Sequence, residues 1–540
     1  MLNLRFFGIL SVVVFSSYAI TDNQPPIGTS PPEYTSAQAQ QGEVIYKRSC
    51  TACHGINLND GGFGPPLVGD LFYGMWGGRI IDQLFQYIKE KMPLGAPGSL
   101  TEKETLELIA YLLKKQGIAA SAQPLAAGVQ RNMIQRLPMP AGGLVSKEVI
   151  SIPPDPNPPS NPLEGITAVT DEMLSNPPAN DWLMWRRTFD AQGYSPLKNI
   201  TQKNVKNLKF TWSWTLPKGR NIATPLVHDG VMFMHSVGSQ IYAFNAITGD
   251  LLWRYQDTSQ GVAPRINGPR AISIYQHSII LTSDDGRIVA LDVKTGKKIW
   301  DKAVLEDPKL WLSAGTLVAK GKVIVGTTAA PNSGKNFIVA LDANTGEEQW
   351  RFYTLEEDRG LKDSWNGTPA EDRNGAGVYV PGSYDPKTNL VFFGTANNYN
   401  PKALRNLKKG ASGNGGLYTN TTLALDVDTG QLAWHFQHLP NDQWNYDWAF
   451  ERTITTVRKN GRSQKILLGS GKEAVFDGLN IENGHYAFSV DLGLQNVIQS
   501  IDPTTGAKTI NPEVIPNGKK TLFVCPDSYG ARNWRPTALD

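Results

Sequence analysis

The sequence predicts an all-β propeller preceded by a small all-α domain. Two observations lead to this prediction: a strand–turn–strand repeat recurs after Asp181, and a helix-like segment with a Cys-x-x-Cys-His motif lies before it. The 540 residues are enough for two to four domains. Hydrophobic residues make up 40% and charged residues 19%, which indicates a globular chain. Because the net charge is only +3, we expect no nucleic acid as a partner.

The first residues have the pattern of a secretory signal. Arg5 is the only charged residue before an apolar run at 6–15, and small residues fit a cleavage site after Ala19. The run is shorter than the roughly 20 residues of a membrane span, although an uncleaved amino-terminal anchor is an alternative. No other long apolar stretch follows, so we expect no stable membrane span. We therefore predict that residues 1–19 are a signal peptide and that the protein is exported to the periplasm.

Residues 36–117 have a helical texture. Thr101-x-x-Glu104 is a capping box, and apolar residues recur at helical spacing from Leu106 to Leu113, which predicts a terminal amphipathic helix. The following segment, 118–180, contains eleven of the 36 prolines. This composition predicts an extended, semi-rigid linker.

The motif Cys50-Thr-Ala-Cys53-His54 is the signature of covalently bound c-type haem. The two thiols form thioethers with the porphyrin, and the histidine ligates the iron. A zinc site would need a second ligand pair nearby, and a redox-active cysteine pair would not need His54. Met92 precedes the terminal helix and is expected as the second axial ligand, with Met75 as the competitor. The segment resembles class I cytochromes c, which implies an electron carrier with one haem c.

Four copies of one pattern predict the propeller. Each copy contains Asp or Asn, two further residues and Thr-Gly, and ends on Trp; the copies are Tyr242–Trp253, Val289–Trp300, Val339–Trp350 and Leu423–Trp434. The Thr-Gly pair indicates a hairpin turn in which Gly supplies the positive φ. We expect the Trp to fill space against the next unit. A degenerate copy covers residues 478–488, and residues 181–540 have room for about six such blades.

The end of the sequence predicts an incomplete ring. The chain stops at Asp540 within what resembles the start of a strand pair, whereas a closed propeller pairs its last strands with its first blade. Cys525 is the odd cysteine, and in an exported protein this suggests a lost partner. We therefore expect residues 181–540 to be a carboxy-terminally truncated propeller.

The repeats resemble those of dehydrogenases that depend on pyrroloquinoline quinone (PQQ). The resemblance covers residues 181–540 and rests on Asp181-Trp-Leu-Met-Trp185, Tyr194-Ser-Pro-Leu197, Tyr384-Asp-Pro386, Gly394-Thr-Ala-Asn397, Leu417–Leu425 and Pro440-Asn-Asp-Gln-Trp444. With the fused cytochrome, the chain resembles a quinohaemoprotein alcohol dehydrogenase; polyvinyl-alcohol dehydrogenases share the amino-terminal position of the cytochrome. The resemblance implies an eight-bladed type of propeller, PQQ, a small alcohol substrate, and a periplasmic cytochrome or the respiratory chain as electron acceptor.

The resemblance also implies site residues. Arg270 falls where an arginine pairs with a PQQ carboxylate, Tyr379 where an aromatic ring stacks on the cofactor, and Lys472 where a cation lies over the quinone oxygens. Asn397 matches an amide ligand of the Ca²⁺ or lanthanide ion beside PQQ. Two hydroxyl positions and one backbone contact complete the cofactor site: Ser313, Thr328 and Ala329.

Three departures from the family pattern affect the metal and the base. Pro331 stands where a metal-ligating Glu falls, Asn445 replaces the Asp that acts as general base, and the adjacent-cysteine disulfide is absent. Asp447, which strand alternation would place on the same face as Asn445, is expected to serve as metal ligand or base. Because of Pro331 and Asn445, a non-catalytic propeller scaffold is an alternative, although the fused haem opposes it.

A further alternative is a sugar, aldehyde or polymeric-alcohol dehydrogenase of the same type. Two long insertions, residues 355–377 and 400–418, would shape that preference.

Overall fold

A computed structural model describes residues 32–126 and 161–539, with gaps at 60–65, 70–71, 73–75, 77–80, 94–95, 97, 218–219, 257–268, 306, 308, 330–334, 356–361, 460 and 534. The described residues form two compact units, one within residues 1–157 and one within residues 158–540. The predicted signal peptide, residues 1–19, lies outside the described residues. No helix in the described part of the chain is long and apolar enough to cross a membrane.

The first unit contains four described helices: α1 (Ser36–Ser49), α2 (Thr51–His54), α3 (Ile81–Lys91) and α4 (Glu102–Lys115). The predicted capping box is confirmed, since the Thr101 hydroxyl accepts from the N–H of Glu104 and the Glu104 carboxylate accepts from the N–H of Thr101. Helix α4 forms where the periodicity predicts it, but it buries the whole stretch 105–113 and not one face alone, because other parts of the unit surround it. Helices α1, α3 and α4 share one apolar cluster that has Cys50 and Met92 at its border.

Helices α1 and α4 cross at a glycine. A Cβ atom at Gly42 would lie 1.9 Å from the carbonyl oxygen of Glu107, so only glycine permits this close approach. One turn further along α1, the rings of Tyr46 and Tyr111 are 5.4 Å apart between centroids. The Tyr46 hydroxyl donates to the carbonyl of Gly55, which fixes the chain directly after the Cys-x-x-Cys-His motif.

The second unit is built from four-stranded antiparallel sheets with strands in chain order. The first sheet contains β1 (Leu226–His228), β2 (Val231–Ser236), β3 (Gln240–Asn245) and β4 (Leu251–Gln256). The second contains β5 (Ser273–Tyr275), β6 (Ser278–Thr282), β7 (Arg287–Asp292) and β8 (Lys298–Ala303). A short pair, β9 (Leu310–Trp311) with β12 (Thr328–Ala329), accompanies the third sheet of β10 (Leu317–Ala319), β11 (Lys322–Gly326), β13 (Phe337–Asp342) and β14 (Glu348–Tyr353).

The fourth sheet contains β15 (Ser383–Asp385), β16 (Leu390–Gly394), β17 (Thr421–Asp426) and β18 (Leu432–Gln437). The fifth contains β19 (Thr453–Lys459), β20 (Arg462–Ser470), β21 (Val475–Asn480) and β22 (Tyr486–Asp491). A two-stranded pair follows, β23 (Ile498–Ile501) with β24 (Lys508–Ile510). The described residues thus contain five complete blades and the strand pair of a sixth, as the length of the repeat predicts.

Each copy of the sequence repeat forms the last two strands of a sheet. At the turn between β7 and β8, the Asp292 carboxylate accepts from the N–H and the hydroxyl of Thr295, and Gly296 has φ of +66°. The same bonds recur at Asp426 with Thr429. The predicted hairpins are therefore confirmed.

The tryptophan of each repeat fastens its blade to the next. The indole N–H of Trp253 donates to the carbonyl of Val293 at 3.0 Å, and that of Trp350 donates to Val427 at 2.9 Å. The same bond joins Trp300 to Ala343 and Trp434 to Ile481. Each indole also lies on the glycine of the next hairpin turn, where a Cβ would approach within 2.4–2.7 Å: Gly296, Gly346, Gly430 and Gly484. The expectation that Trp fills the space against the next unit is confirmed.

The predicted linker, residues 118–180, is too long at its carboxy-terminal end. Residues 161–180 contain two short helices, α5 (Pro162–Gly165) and α6 (Asp171–Ser175), and their apolar side chains join the propeller core. Val169 also pairs with Gln276, beside β5. The proline content hid this docking, because an irregular segment that packs on a sheet has no helical or strand period. One further short helix, α7 (Pro401–Leu404), lies between β16 and β17.

Candidate functional site

The Cys-x-x-Cys-His motif forms a single helical turn in the first unit. The N–H groups of Cys53 and His54 both donate to the carbonyl of Cys50, at 3.2 and 2.9 Å. Neither cysteine is in a disulfide; Cys50 is half-buried and Cys53 is exposed. Burial, with a smaller contribution from Cys53, raises the pKa of Cys50 to about 11. Two thiols one turn apart beside an apolar cluster, with His54 next to them, fit the donor set of a covalent haem.

Met92 lies directly after α3, and its N–H donates to the carbonyl of Ile88. Its half-buried side chain packs against the same apolar cluster as Cys50. A thioether at this border suits an axial ligand, and the assignment to Met92 stays a prediction. The competitor, Met75, lies outside the described residues.

The propeller brings the predicted PQQ residues together from separate blades. The Arg270 guanidinium donates to the carbonyl of Tyr379, and the N–H of Arg270 donates to the carbonyl of Ser313. The hydroxyls of Ser313 and Thr328 are 2.9 Å apart. Thr328 and the adjacent Ala329 are buried in β12.

Gly377 has no side chain and leaves space between Tyr379, Tyr399 and Thr328. A Cβ at Gly377 would lie 2.7 Å from the Tyr399 hydroxyl, 3.3 Å from the Tyr379 ring and 3.4 Å from the Thr328 methyl group. The Tyr399 hydroxyl is hydrogen-bonded to Tyr379, and burial raises its pKa to about 12. Sequence reasoning missed Tyr399, although its place two residues after Asn397 was a usable signal.

A buried carboxylate stands at the centre of the second half of the site. Asp447 Oδ1 accepts from the N–H of Asn397 at 3.1 Å and from the Tyr379 hydroxyl at 3.5 Å. Asp447 Oδ2 lies 2.7 Å from Lys472 Nζ, and the two side chains are only 5% and 7% exposed. Burial and the nearby Asp447 charge raise the pKa of Tyr379 well above its usual range, so its hydroxyl stays protonated and acts as a donor.

Lys472 is held by the backbone around Asn445. Its Nζ donates to the carbonyl of Asn445 at 2.9 Å, and its N–H donates to the carbonyl of Asp447 at 3.2 Å. Asn445 itself is exposed with φ of +67°, and residues 445–449 form no strand. The expected strand alternation between Asn445 and Asp447 is therefore wrong, because the left-handed residue turns the chain. This turn of the chain leaves Asp447 buried and Asn445 at the surface.

These side chains fit PQQ, a planar tricarboxylate with reactive quinone oxygens. Burial lowers the pKa of Arg270 to about 10, so its guanidinium is still a cation at neutral pH. It offers a planar fork to a carboxylate. The hydroxyls of Ser313 and Thr328 and the Lys472 ammonium supply further hydrogen-bond donors. The Tyr379 ring supplies a surface on which the cofactor can stack.

The donor set for a metal ion beside PQQ does not fit. Asn397 Oδ1 is a buried oxygen without a hydrogen-bond partner among the described residues, which suits one ligand. Asp447, however, has both oxygens in hydrogen bonds or an ion pair. The other buried carboxylate in range, Asp442, accepts from the N–H groups of Trp444 and Tyr446. Pro331 lies outside the described residues, and a proline side chain offers no ligand atom. Ca²⁺ takes six to eight oxygen ligands. In the described part of the chain, the cluster of three potential His and Asp ligands is elsewhere, at Asp181, His228 and Asp229.

The two predicted specificity loops line a polar cavity of about 480 Å³. Thr368, Arg373 and Asn374 come from the first loop, and Asn400 and Lys408 from the second. The cavity adjoins the site through the backbone, because Gly375 follows Asn374 and a Cβ there would lie 2.3 Å from the carbonyl oxygen of Asn397. The loops thus form a polar wall next to the cofactor residues.

The geometry defines a quinoprotein-type propeller with an attached c-type haem unit, and comparisons with known proteins agree. Residues 182–492, more than half of the chain, match the family model described as the β-propeller domain of glucose, ethanol and alcohol dehydrogenases that bind PQQ. The chain belongs to this family. Residues 37–112 match the model of subunit III of cbb3-type cytochrome c oxidase.

Curated proteins similar to the chain include quinohaemoprotein alcohol dehydrogenases. It is 32% identical over 403 residues to the quinohaemoprotein alcohol dehydrogenase ADH IIB of Pseudomonas putida, covering 71% of this chain and 58% of the relative. It is 30% identical over 385 residues to ADH-IIG of the same species, covering 67% and 52%. The chain therefore spans little more than half the length of these relatives.

Solved structures show the same likeness. The quinohaemoprotein alcohol dehydrogenase of Comamonas testosteroni matches with a TM-score of 0.63 and 26% identity, over 70% of this chain and 60% of that one. A europium-containing methanol dehydrogenase matches with a TM-score of 0.62 and 25% identity, over 69% of each chain.

Proposed function

We propose that the protein is a quinohaemoprotein dehydrogenase that oxidises an alcohol with PQQ and passes the electrons on through a covalent haem c. The observation that carries this proposal is the convergence of Arg270, Tyr379, Asp447 and Lys472, which stand far apart in the sequence, on one buried site. The named activities of the relatives support alcohol as the substrate class.

Each side chain has a role that follows from its chemistry. PQQ, when bound, supplies a two-electron acceptor. Arg270 binds one of its carboxylates, and Ser313 and Thr328 orient it by hydrogen bonds. Asp447 accepts the proton of the substrate hydroxyl, because it is the buried carboxylate among these residues. Lys472 pairs with the Asp447 carboxylate at 2.7 Å and supplies positive charge where negative charge develops.

The first unit supplies the one-electron carrier. Cys50 and Cys53 anchor the haem covalently, and His54 and Met92 ligate its iron. A thioether ligand raises the potential of the iron, which suits the acceptance of electrons from a quinol. We propose a soluble cytochrome or the respiratory chain as the next acceptor, and the periplasm as the location, with residues 1–19 removed on export.

A polar alcohol such as a sugar or a polymeric alcohol is a second candidate substrate, favoured by the cavity between the two loops. Its lining carries Arg373, Lys408 and Glu371, and the apolar side chains in it are only the small ones of Pro369 and Ala403. Comparison of kcat/KM for ethanol, glucose and oligomeric vinyl alcohol would decide between the two classes.

The test uses the exported protein with haem already attached. We expect the haem α-band to grow when PQQ and an alcohol are both present, and not with either alone. Asp447→Asn should lower kcat about 10²–10⁴-fold, because the base is lost. Asp428→Asn, which alters an exposed Asp–Lys pair, is the control. An oxidised haem and absent PQQ binding under all conditions would instead identify a scaffold.

A further inference from the structure

We propose that this protein binds PQQ without Ca²⁺ or a lanthanide, and that Lys472 is the cation that balances Asp447 and contacts the quinone oxygens in the absence of a metal ion. The proposal rests on the PQQ site proposed above. It follows from three observations on the described residues: how Asp447 is paired, how few oxygen ligands surround it, and how many donors of Lys472 are already used.

The Asp447–Lys472 pair leaves no charge for a metal to neutralise. The Asp447 carboxylate contacts the Lys472 ammonium at 2.7 Å, and both side chains are almost fully buried. A divalent or trivalent ion on the same carboxylate would lie beside this ammonium inside the protein, where like charges repel more strongly than in water. The ion would also have to share Asp447 Oδ1 with the N–H of Asn397.

The backbone fixes the ammonium in this position. Lys472 Nζ donates to the carbonyl of Asn445, which the left-handed conformation of that residue turns toward it. The segment after Cys525 closes over the lysine stem, since the N–H of Ala531 donates to the carbonyl of Lys472. A Cβ at Gly530 would lie 2.7 Å from the Lys472 Cβ. The Lys472 ammonium is therefore held in a fixed position within the site, unlike the ammonium of a mobile surface lysine.

One donor of the ammonium is left for a ligand. A lysine ammonium has three N–H donors, and among the described residues one goes to Asp447 and one to Asn445. The third can bond an oxygen of the bound quinone. An ammonium thus supplies both things that a metal ion would supply here, positive charge and a contact to the cofactor, with no need for further oxygen ligands.

The first experiment measures PQQ binding rather than turnover. Haem-loaded protein is freed of metal with a chelating resin and titrated with PQQ, and quenching of tryptophan fluorescence gives the Kd. The titration is done in EDTA, in Ca²⁺ and in La³⁺, and the metal content is read by mass spectrometry. We expect the three Kd values to agree within about 2-fold, since neither Ca²⁺ nor La³⁺ binds the folded state. Apart from the haem iron, we expect much less than one Ca²⁺ or La³⁺ per protein.

Variants of the lysine sharpen the test. Lys472→Gln should weaken PQQ binding in EDTA by about 10-fold or more, because the charged donor is lost, and added La³⁺ should restore part of the affinity. Lys472→Arg keeps the cation and should bind PQQ without metal. Lys320→Gln removes the lysine of an exposed Lys–Asp pair and should leave the Kd unchanged. Circular dichroism of each variant checks the fold.

The outcomes separate this inference from the proposed function. PQQ binding that requires Ca²⁺ or La³⁺, with one ion bound per protein, overturns the role of Lys472 and leaves the dehydrogenase proposal intact. Absence of PQQ binding in all three solutions overturns the dehydrogenase proposal itself. Should the variants not fold, the metal dependence of the unmodified protein still decides the question.

Discussion

The two proposed cofactor sites of this protein are built in opposite ways. The haem site rests on one helical turn, where Cys50, Cys53 and His54 are neighbours in the sequence. The PQQ site is assembled from side chains between positions 270 and 472, and hydrogen bonds across blades link them. The first site therefore depends on a local motif and covalent bonds. The second depends on every blade between Arg270 and Lys472 keeping its place.

The largest effect should come from the haem motif. Replacing both Cys50 and Cys53 by Ser removes the two thioether links, so we expect no covalent haem in a pyridine haemochrome assay. PQQ affinity should not change, because the cofactor residues lie in the propeller unit. Cys525→Ser, at an exposed cysteine outside the motif, is the control and should keep its haem. Loss of PQQ affinity in the double variant would show that the two sites depend on each other.

A substitution in the helical unit should lower the stability of that unit without changing the stability of the propeller. Gly42→Val inserts a side chain against the Glu107 carbonyl and should cost about 3 kcal/mol through overpacking. The expected result is a lower midpoint for the change in Soret circular dichroism on heating, because the covalently attached haem stays on the unfolded chain. Gln41→Val, at the exposed neighbouring position of α1, controls for helix propensity and should cost a few tenths of a kcal/mol. An equal change in thermal stability in both variants would contradict the close crossing of α1 and α4.

A smaller, pH-dependent effect on the free energy of unfolding should be confined to the propeller. Glu473 is fully buried, neither carboxylate oxygen has a hydrogen-bond partner among the described residues, and burial raises its pKa to about 8. The folded state thus keeps a proton that the unfolded chain releases from about pH 4.5 upward. Stability should fall as the pH rises toward 8.

Glu473→Gln keeps the shape of the protonated acid and removes the loss of stability that occurs as the pH rises. We expect it to gain on the order of 2 kcal/mol over the unmodified protein at pH 8 and little at pH 4, measured by urea unfolding followed by tryptophan fluorescence. Glu482→Gln, on an exposed turn after β21, should leave the pH profile unchanged. A gain of the same size at both pH values would contradict the proton held by Glu473.

The difference between the two sites also explains what could be predicted from the sequence. The haem motif and the hairpin turns are contiguous, so residue identity and spacing were enough to locate them. The PQQ residues were predicted by resemblance alone, because no period links Arg270 to Lys472. Besides Tyr399, two features escaped: residues 161–180 dock on the propeller without a periodic pattern, and the positive φ of Asn445 breaks the expected alternation with Asp447.

The tryptophan contact gives each blade a direction. A blade presents an indole on one side and a glycine turn on the other, and the two are halves of one head-to-tail contact. Because each of the four blades that end in Trp253, Trp300, Trp350 and Trp434 carries both halves, a duplicate of such a blade can be inserted between Trp300 and Gly346, or at another such junction, without the evolution of a new surface. The same polarity prevents a blade from packing in reverse. The arrangement therefore favours growth of the gene by tandem duplication, with the functional side chains free to diverge afterwards.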